Sequence, residues 1–411
     1  MIKHSKHNNR SVLEMSNGLL TVYIAPELGG RILQIVIDGE ELLFENENLK
    51  GMANVQGTAR WTGTWQNFGG EKLWVAPQGW DSDDEWPGPP CPVIDGGSHK
   101  VSIDGDTVSL TSAVQRQIGV SVGRSIRLAD GTSRIDIDAW LRNDADHSKR
   151  WAIWAVAQVV ASSSERGHFK VFFGCDRSKL GYQVIHGVVN SPQWRVRDNI
   201  VEVDYQYIAG KIGCNPDNGW ACYMNCDKGV CLVSSYDPAE DKEYDMDAPL
   251  QVWTQGRGSV YTRGSLSVCP DNMKVNPGYM QVELLSPLQR VRAGESIRHR
   301  YSMWACRVHP SSSVVSWGRN WLATSDIAVR RGSVVARLGV AIEGYVAVEC
   351  CGSVTKVPCG PTAPVDLDVP VSSNDISISL YDSDNNLVER IYRSSRSFDS
   401  IFSDGETVEC I

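Results

Sequence analysis

Three short runs carry side chains that could do chemistry from defined positions. In Tyr279-Met280-Gln281-Val282-Glu283-Leu284-Leu285 a two-residue period puts Tyr279, Gln281, Glu283 and Leu285 on one face of a strand. A carboxylate on such a face can point into a cleft and act as a general base. In Gly69-Gly70-Glu71-Lys72 an acid and an amine directly follow two glycines, where backbone can approach a ligand closely. If this loop is extended, Glu71 and Lys72 face opposite ways, so one of them reaches a site. Arg31 follows Gly29-Gly30, and its planar guanidinium suits a carboxylate or phosphate. Taken singly, each of these charges also reads as an ordinary solvated surface group.

Other clusters are weaker. Of the eight histidines, His168 and His186 lie in the middle of the chain and are the candidates for a general acid. Cys222, Cys226 and Cys231 repeat no paired CxxC spacing and have no histidine beside them, so they read as reduced, buried thiols rather than a zinc site. Asp81, Asp83, Asp84 and Glu85 lack the spacing and glycine of a calcium loop and read as a solvated acidic turn. No metal or organic cofactor is expected.

Composition narrows the class. The 411 residues carry a net charge of -9, which argues against nucleic acid as the main partner. No run approaches the ~20 apolar residues of a spanning helix, so no membrane partner is expected. The opening segment is polar and lacks the apolar run of a secretory signal, which favours a cytoplasmic product. Fourteen Trp against seven Phe is an inverted ranking; a Trp ring combines a flat apolar face with an N–H donor, which suits sugar faces and wet clefts as well as a core.

The elements that must hold these residues are strands. Alternating runs such as HKVSIDGDTVSLTSAV, VSVGRSIRLADGTSRIDIDAWLRN and NIVEVDYQYIAGKIG are punctuated by Asp-Gly turns. Helical periodicity shows only over 316–324. The chain therefore reads as all-β: a large antiparallel supersandwich over 1–309 and a small β-sandwich accessory domain over 310–411. Residues 61–92 interrupt the strand order with Trp61, Trp65, Trp74, Trp80 and Trp86, an irregular insertion whose aromatic content argues for function over disorder.

The order of LGGRILQI, NFGGEKLWVAP, WPGPP, WAIWAVAQV, KIGCNPDNGWACY, LQVWTQGRGSVYTRGS and YMQVELLSPLQRVRAGESIRHRYSMW resembles the galactose mutarotase-like superfamily, the fold of aldose 1-epimerases. The resemblance covers roughly residues 12 to 308. It implies a broad sugar-binding face, with Glu283 at the position of the base that acts on the anomeric hydroxyl. It also implies that Trp74, Trp154, Gln158 and Lys211 occupy matched segments around the sugar, beside Arg31, Glu71 and Lys72. The sequence departs from the pattern at the acid: the WAIWAVAQV strand has Trp151, Trp154 and Gln158 where epimerases carry a histidine, and a Trp cannot shuttle a proton at neutral pH. Three basic residues in matched segments of an acidic chain favour an anionic or oxidised sugar or oligosaccharide. Three functions remain open: an epimerase-like isomerase, a non-catalytic carbohydrate-binding protein, and a polysaccharide lyase or hydrolase on the same scaffold.

Overall fold

The computed structural model describes residues 1–52, 54, 65–82, 84–175, 181–239, 241–262 and 265–394. Trp61 of the aromatic insertion and Asp83 of the acidic turn lie outside these residues.

Two large antiparallel sheets dominate. In the first, hydrogen-bonded neighbours run Ile2–His7, Arg10–Ser16, Leu20–Ala25, Arg31–Ile37, Glu71–Ala76, Lys149–Val160, Tyr279–Leu285, Leu250–Gln255, Gly210–Cys214 and Gln183–His186. The second contains, in its middle, Gly219–Asn225, Val230–Tyr236, Ser296–Arg307, Arg134–Asn143 and Val120–Leu128. Among the described residues the only helical pieces are two short 3-10 turns, Glu47–Leu49 and Asp245–Asp247. None is long and apolar enough to cross a membrane.

Alternation along each strand decides what is buried between the sheets. Val22, Ile35, Val75, Ile153 and Val282 of the first sheet pack in one cluster with Val122, Ile137, Leu232 and Met303 of the second. Apolar burial on this scale is the main stabilising term, at about 25 cal/mol per Å² of apolar surface removed from water. Strands after Arg307 form a five-stranded and a four-stranded sheet. Their core, with Trp321, Leu322 and Val334, is continuous with Cys222, Cys231, Trp304 and Cys306 on the outer face of the second large sheet. The clustered cysteines are thus buried thiols at this seam, where burial pushes their pKa values up.

Two expectations are corrected. The 316–324 segment is no helix: Ser316–Trp317 pairs with Trp321–Ala323 as a hairpin. Trp317 and Trp321 imitate helical i, i+4 spacing, but the intervening turn is held by Glu389, which accepts from the backbone N–H groups of Arg319 (2.9 Å) and Asn320 (3.0 Å). The NFGGEKLW segment, read as a loop, enters a central strand, Glu71–Ala76, every residue of which is buried. Gly69 and Gly70 are required by backbone rather than by a ligand. Both have positive φ, and a Cβ would meet Phe44 O at 1.9 Å and Ile32 O at 2.5 Å respectively.

Candidate functional site

The register of the first sheet assembles one polar and aromatic face. Lys72, Val156, Glu283 and Gln251 stand side by side across four neighbouring strands. Gln158, Gln281, Trp253 and Lys211 form the next row, and Trp74 and Trp154 form a third beside Leu285. Lys72, Trp74, Trp154, Gln158, Lys211 and Glu283 are therefore brought together, although they come from segments up to 211 positions apart in the chain.

Glu283 is the centre of this face. It is 1% exposed, and its Oε2 accepts from Lys211 Nζ at 2.7 Å and from the indole N–H of Trp154 at 2.8 Å. The Lys211 ammonium also lies 4.8 Å from the centre of the Trp154 ring, a cation–π contact that fixes the trio. A buried carboxylate needs such partners, because desolvation of an isolated one would be prohibitive.

Lys72 approaches from the other side, with Nζ 4.7 Å from the Trp74 ring centre and 5.0 Å from that of Trp65. Among the described residues it donates to Asn67 Oδ1 at 3.4 Å. Burial, followed by the nearby Arg31 charge, lowers its pKa from 10.5 to about 7, against the pull of Asp95 and Glu283. At neutral pH this amine exchanges protons readily, which is the condition for a general acid or base. Gln158 is fully buried, and among the described residues neither its oxygen nor its nitrogen makes a hydrogen bond of good geometry. The Tyr279 phenol, which burial raises in pKa, lies beside Gln158 and Asn67.

Two expected ligand contacts are corrected. Arg31 has no exposed surface; it donates to Leu28 O (2.6 Å), Gly69 O (2.8 Å) and Asp95 O (2.7 Å), with its charge set against Asp95 Oδ1 at 3.2 Å. Its guanidinium is spent on the protein, so it supports the site from beneath. Glu71 occupies the reverse face of its strand, inside the sandwich, where it accepts from Arg124 and from the Tyr301 hydroxyl at 2.8 Å. The alternation that puts Lys72 on the Glu283 face necessarily puts Glu71 on the reverse face, in the core.

Sequence reasoning passed over Asp95. This fully buried carboxylate takes the Trp74 indole N–H at 3.0 Å, the Trp65 indole N–H at 2.8 Å and the Arg31 guanidinium. It therefore orients two rings of the aromatic wall, in which Trp65 and Trp74 lie 6.0 Å apart and Trp74 and Trp154 5.2 Å apart. Asp95 sits in a Gly- and Pro-rich turn with no periodicity, so no local signal marks it. Trp151, by contrast, has alternate parity to Trp154 and is fully buried.

Of the histidines, His186 lies opposite Lys211 in register, with its ring 6.4 Å from that of Trp253. His168 flanks a strand of the other sheet and pairs with Asp227 at 2.8 Å, far from Glu283 in the topology. Among the described residues, His7, Glu41 and Glu45 form the one group of three that could hold a metal ion. His7 and Glu41 end the strands Ile2–His7 and Glu40–Glu41, and Glu45, just beyond, already accepts from His7, Asn8 and Gln34.

No protein-family model matches the chain, and no curated protein matches it. Among solved structures, the chain is similar to a galactose mutarotase-like protein from Lactobacillus casei ATCC 334, with 12% identity, a TM-score of 0.46, and 72% of this chain and 99% of that one covered. A second, also a galactose mutarotase-like protein, from Clostridium acetobutylicum, has 12% identity and a TM-score of 0.43 over 75% of this chain and 98% of that one. A TPR-domain containing protein from Parabacteroides distasonis ATCC 8503 has 14% identity and a TM-score of 0.45; 75% of this chain is covered but only half of that one, 50%.

Proposed function

We propose that the Glu283 face is a sugar site at which Glu283 and Lys72 act as a proton-transfer pair on an anomeric centre. The observation that carries this reading is the buried Glu283 carboxylate standing opposite an amine whose pKa is lowered to about 7. Among the described residues both hydrogen bonds to Glu283 run to Oε2, and Oε1 is the atom we assign to the anomeric hydroxyl. Glu283 takes the O1–H proton, the Lys72 ammonium gives one to the ring oxygen, and the C1–O5 bond breaks to give the open-chain aldehyde. Rotation about C1–C2 and reversal of the two transfers return the other anomer. Lys72 thus fills the role for which the sequence has no histidine on the Trp154 strand. Trp65, Trp74 and Trp154 offer ring faces to the apolar side of the sugar.

The two amines Lys72 and Lys211 outnumber the single Glu283 carboxylate, with which Lys211 is paired, and leave the face positive when Lys72 is protonated, which favours a uronate or another anionic sugar. Calorimetric titration with aldohexoses, hexuronates and hexose phosphates tests the site. Saturable heat that is lost in Trp154→Ala is expected, and absence of heat across the panel contradicts it. A second reading, binding without turnover, is favoured by the Lys211–Glu283 ion pair at 2.7 Å, which neutralises the base. Under that reading Glu283→Gln weakens binding and no reaction exists to be lost.

A further inference from the structure

The outer face of the second large sheet divides in two. Its apolar half, with Cys222, Cys231, Val233, Trp304 and Cys306, is buried under the C-terminal sheets. Further along, the same face turns polar: Trp220, Ser235, Ser302, Asp136 and Arg127 stand in one row across five neighbouring strands. Over that row opens a cavity of about 880 Å³, walled on its far side by Trp317, Gly318, Arg319 and Glu389. This is within the ~300–1,000 Å³ of small-molecule sites.

Its lining is unfinished as protein. Trp220 is 3% exposed and stacks on Trp317 with ring centres 4.4 Å apart and an interplanar angle of 14°. Among the described residues its indole N–H nevertheless has no acceptor. Asp138 likewise keeps a buried Oδ1 without a donor while its Oδ2 accepts from Arg298 at 2.6 Å. An unpaired buried polar group costs about 1–3 kcal/mol, a penalty that a ligand hydroxyl would relieve. The charges around the cavity nearly balance, four arginines against five carboxylates, with Arg134 paired to Asp136 at 2.7 Å and Arg319 to Asp237 at 2.9 Å. Such a surface selects no ion. It offers an aromatic pair, serine hydroxyls and planar donor and acceptor forks, which is the chemistry that recognises an uncharged polyhydroxylated chain.

We infer that this cavity is a second carbohydrate site, which takes a neutral oligosaccharide against Trp220 and Trp317 on the opposite sheet from Glu283. The C-terminal sheets then serve as one wall of a binding site. The inference does not depend on the function proposed for the Glu283 face.

The test is titration of maltohexaose, cellohexaose, xylohexaose and mannohexaose into the full chain, followed by tryptophan fluorescence and calorimetry. At least one is expected to bind saturably, with affinity within twofold of wild type in Glu283→Gln. Binding should weaken at least tenfold in Trp317→Ala and in Ser235→Tyr, which fills the cavity floor. Arg319→Ala guards against loss through misfolding, because that side chain is 77% exposed; a threefold or greater loss is expected there at an unchanged unfolding temperature. No saturable binding of any of the four overturns the inference. So does binding that Glu283→Gln abolishes, or that Ser235→Tyr and Arg319→Ala leave intact.

Discussion

Replacing Lys72 by Met removes the one buried amine whose proton affinity the fold lowers most, while keeping a side chain of similar length. The sign follows from linkage. The unfolded chain binds the proton with a pKa near 10.5 and the fold with one of about 7. Between these values the unfolded state holds more protons, so stability rises with pH across that window and the cost of charging Lys72 is fully present below it. Each pH unit well inside the window is worth about 1.4 kcal/mol. Half-titration at pH 7 reduces the first unit, so from pH 7 to pH 9 wild type gains about 2 kcal/mol relative to Lys72→Met. Urea unfolding of both proteins at the two pH values measures this as a difference of differences, in which other titrating groups cancel. Lys72→Met should hold its largest stability advantage at pH 7 and lose about 2 kcal/mol of it by pH 9. A gap that does not change with pH would refute the reasoning, because it would mean that the amine keeps its ordinary proton affinity.

Three further outcomes separate the Glu283 face from its supports. Arg124→Met leaves Glu71 as an uncompensated buried charge and should cost about 3–5 kcal/mol in urea unfolding, with sugar affinity unchanged in calorimetry because Glu71 lies on the reverse face. Asp95→Leu frees the indoles of Trp65 and Trp74 and unpairs Arg31; affinity should fall at least tenfold together with stability, and an affinity that survives would remove Asp95 from the site. His99 is buried, and desolvation followed by the Arg124 and Arg31 charges lowers its pKa from 6.5 to about 3. The fold therefore loses stability as pH falls from about 6.5 towards 3, and His99→Leu should flatten that limb in a thermal-unfolding series; an unchanged limb would assign acid sensitivity to other groups.

Much of this arrangement was legible in the sequence because a strand has an exact period. The alternation in YMQVELL places Glu283 on one face with Tyr279 and Gln281, and the alternation across Glu71-Lys72 admits only one of that pair to it. What the period does not say is which of the two shares a face with Glu283: Lys72 and Glu71 exchange places on a one-residue slip, and pairing with the Lys149–Val160 strand settles it. Arg31 misled for a related reason. A guanidinium after two glycines looks available, and only the return of Asp95, 64 residues later, engages it. The hairpin at Trp317 and Trp321 was hidden because burial at the seam with the second sheet, rather than local propensity, decides its form. The Trp excess was informative in kind but not in place: Trp65, Trp74 and Trp154 line the Glu283 face, whereas Trp220 and Trp317 flank the other cavity.

The central claim, that Glu283 is a base at an anomeric centre, is tested most directly by anomeric exchange. One- and two-dimensional NMR of aldoses and uronic acids, with and without protein, reads the interconversion rate at C1. The account predicts acceleration for at least one sugar, favouring an anionic one, and a loss of about 10²–10⁴-fold in Glu283→Gln, as expected for removal of a general base. Exchange no faster with wild type than in buffer for every sugar, or a rate that Glu283→Gln leaves unchanged, would contradict it.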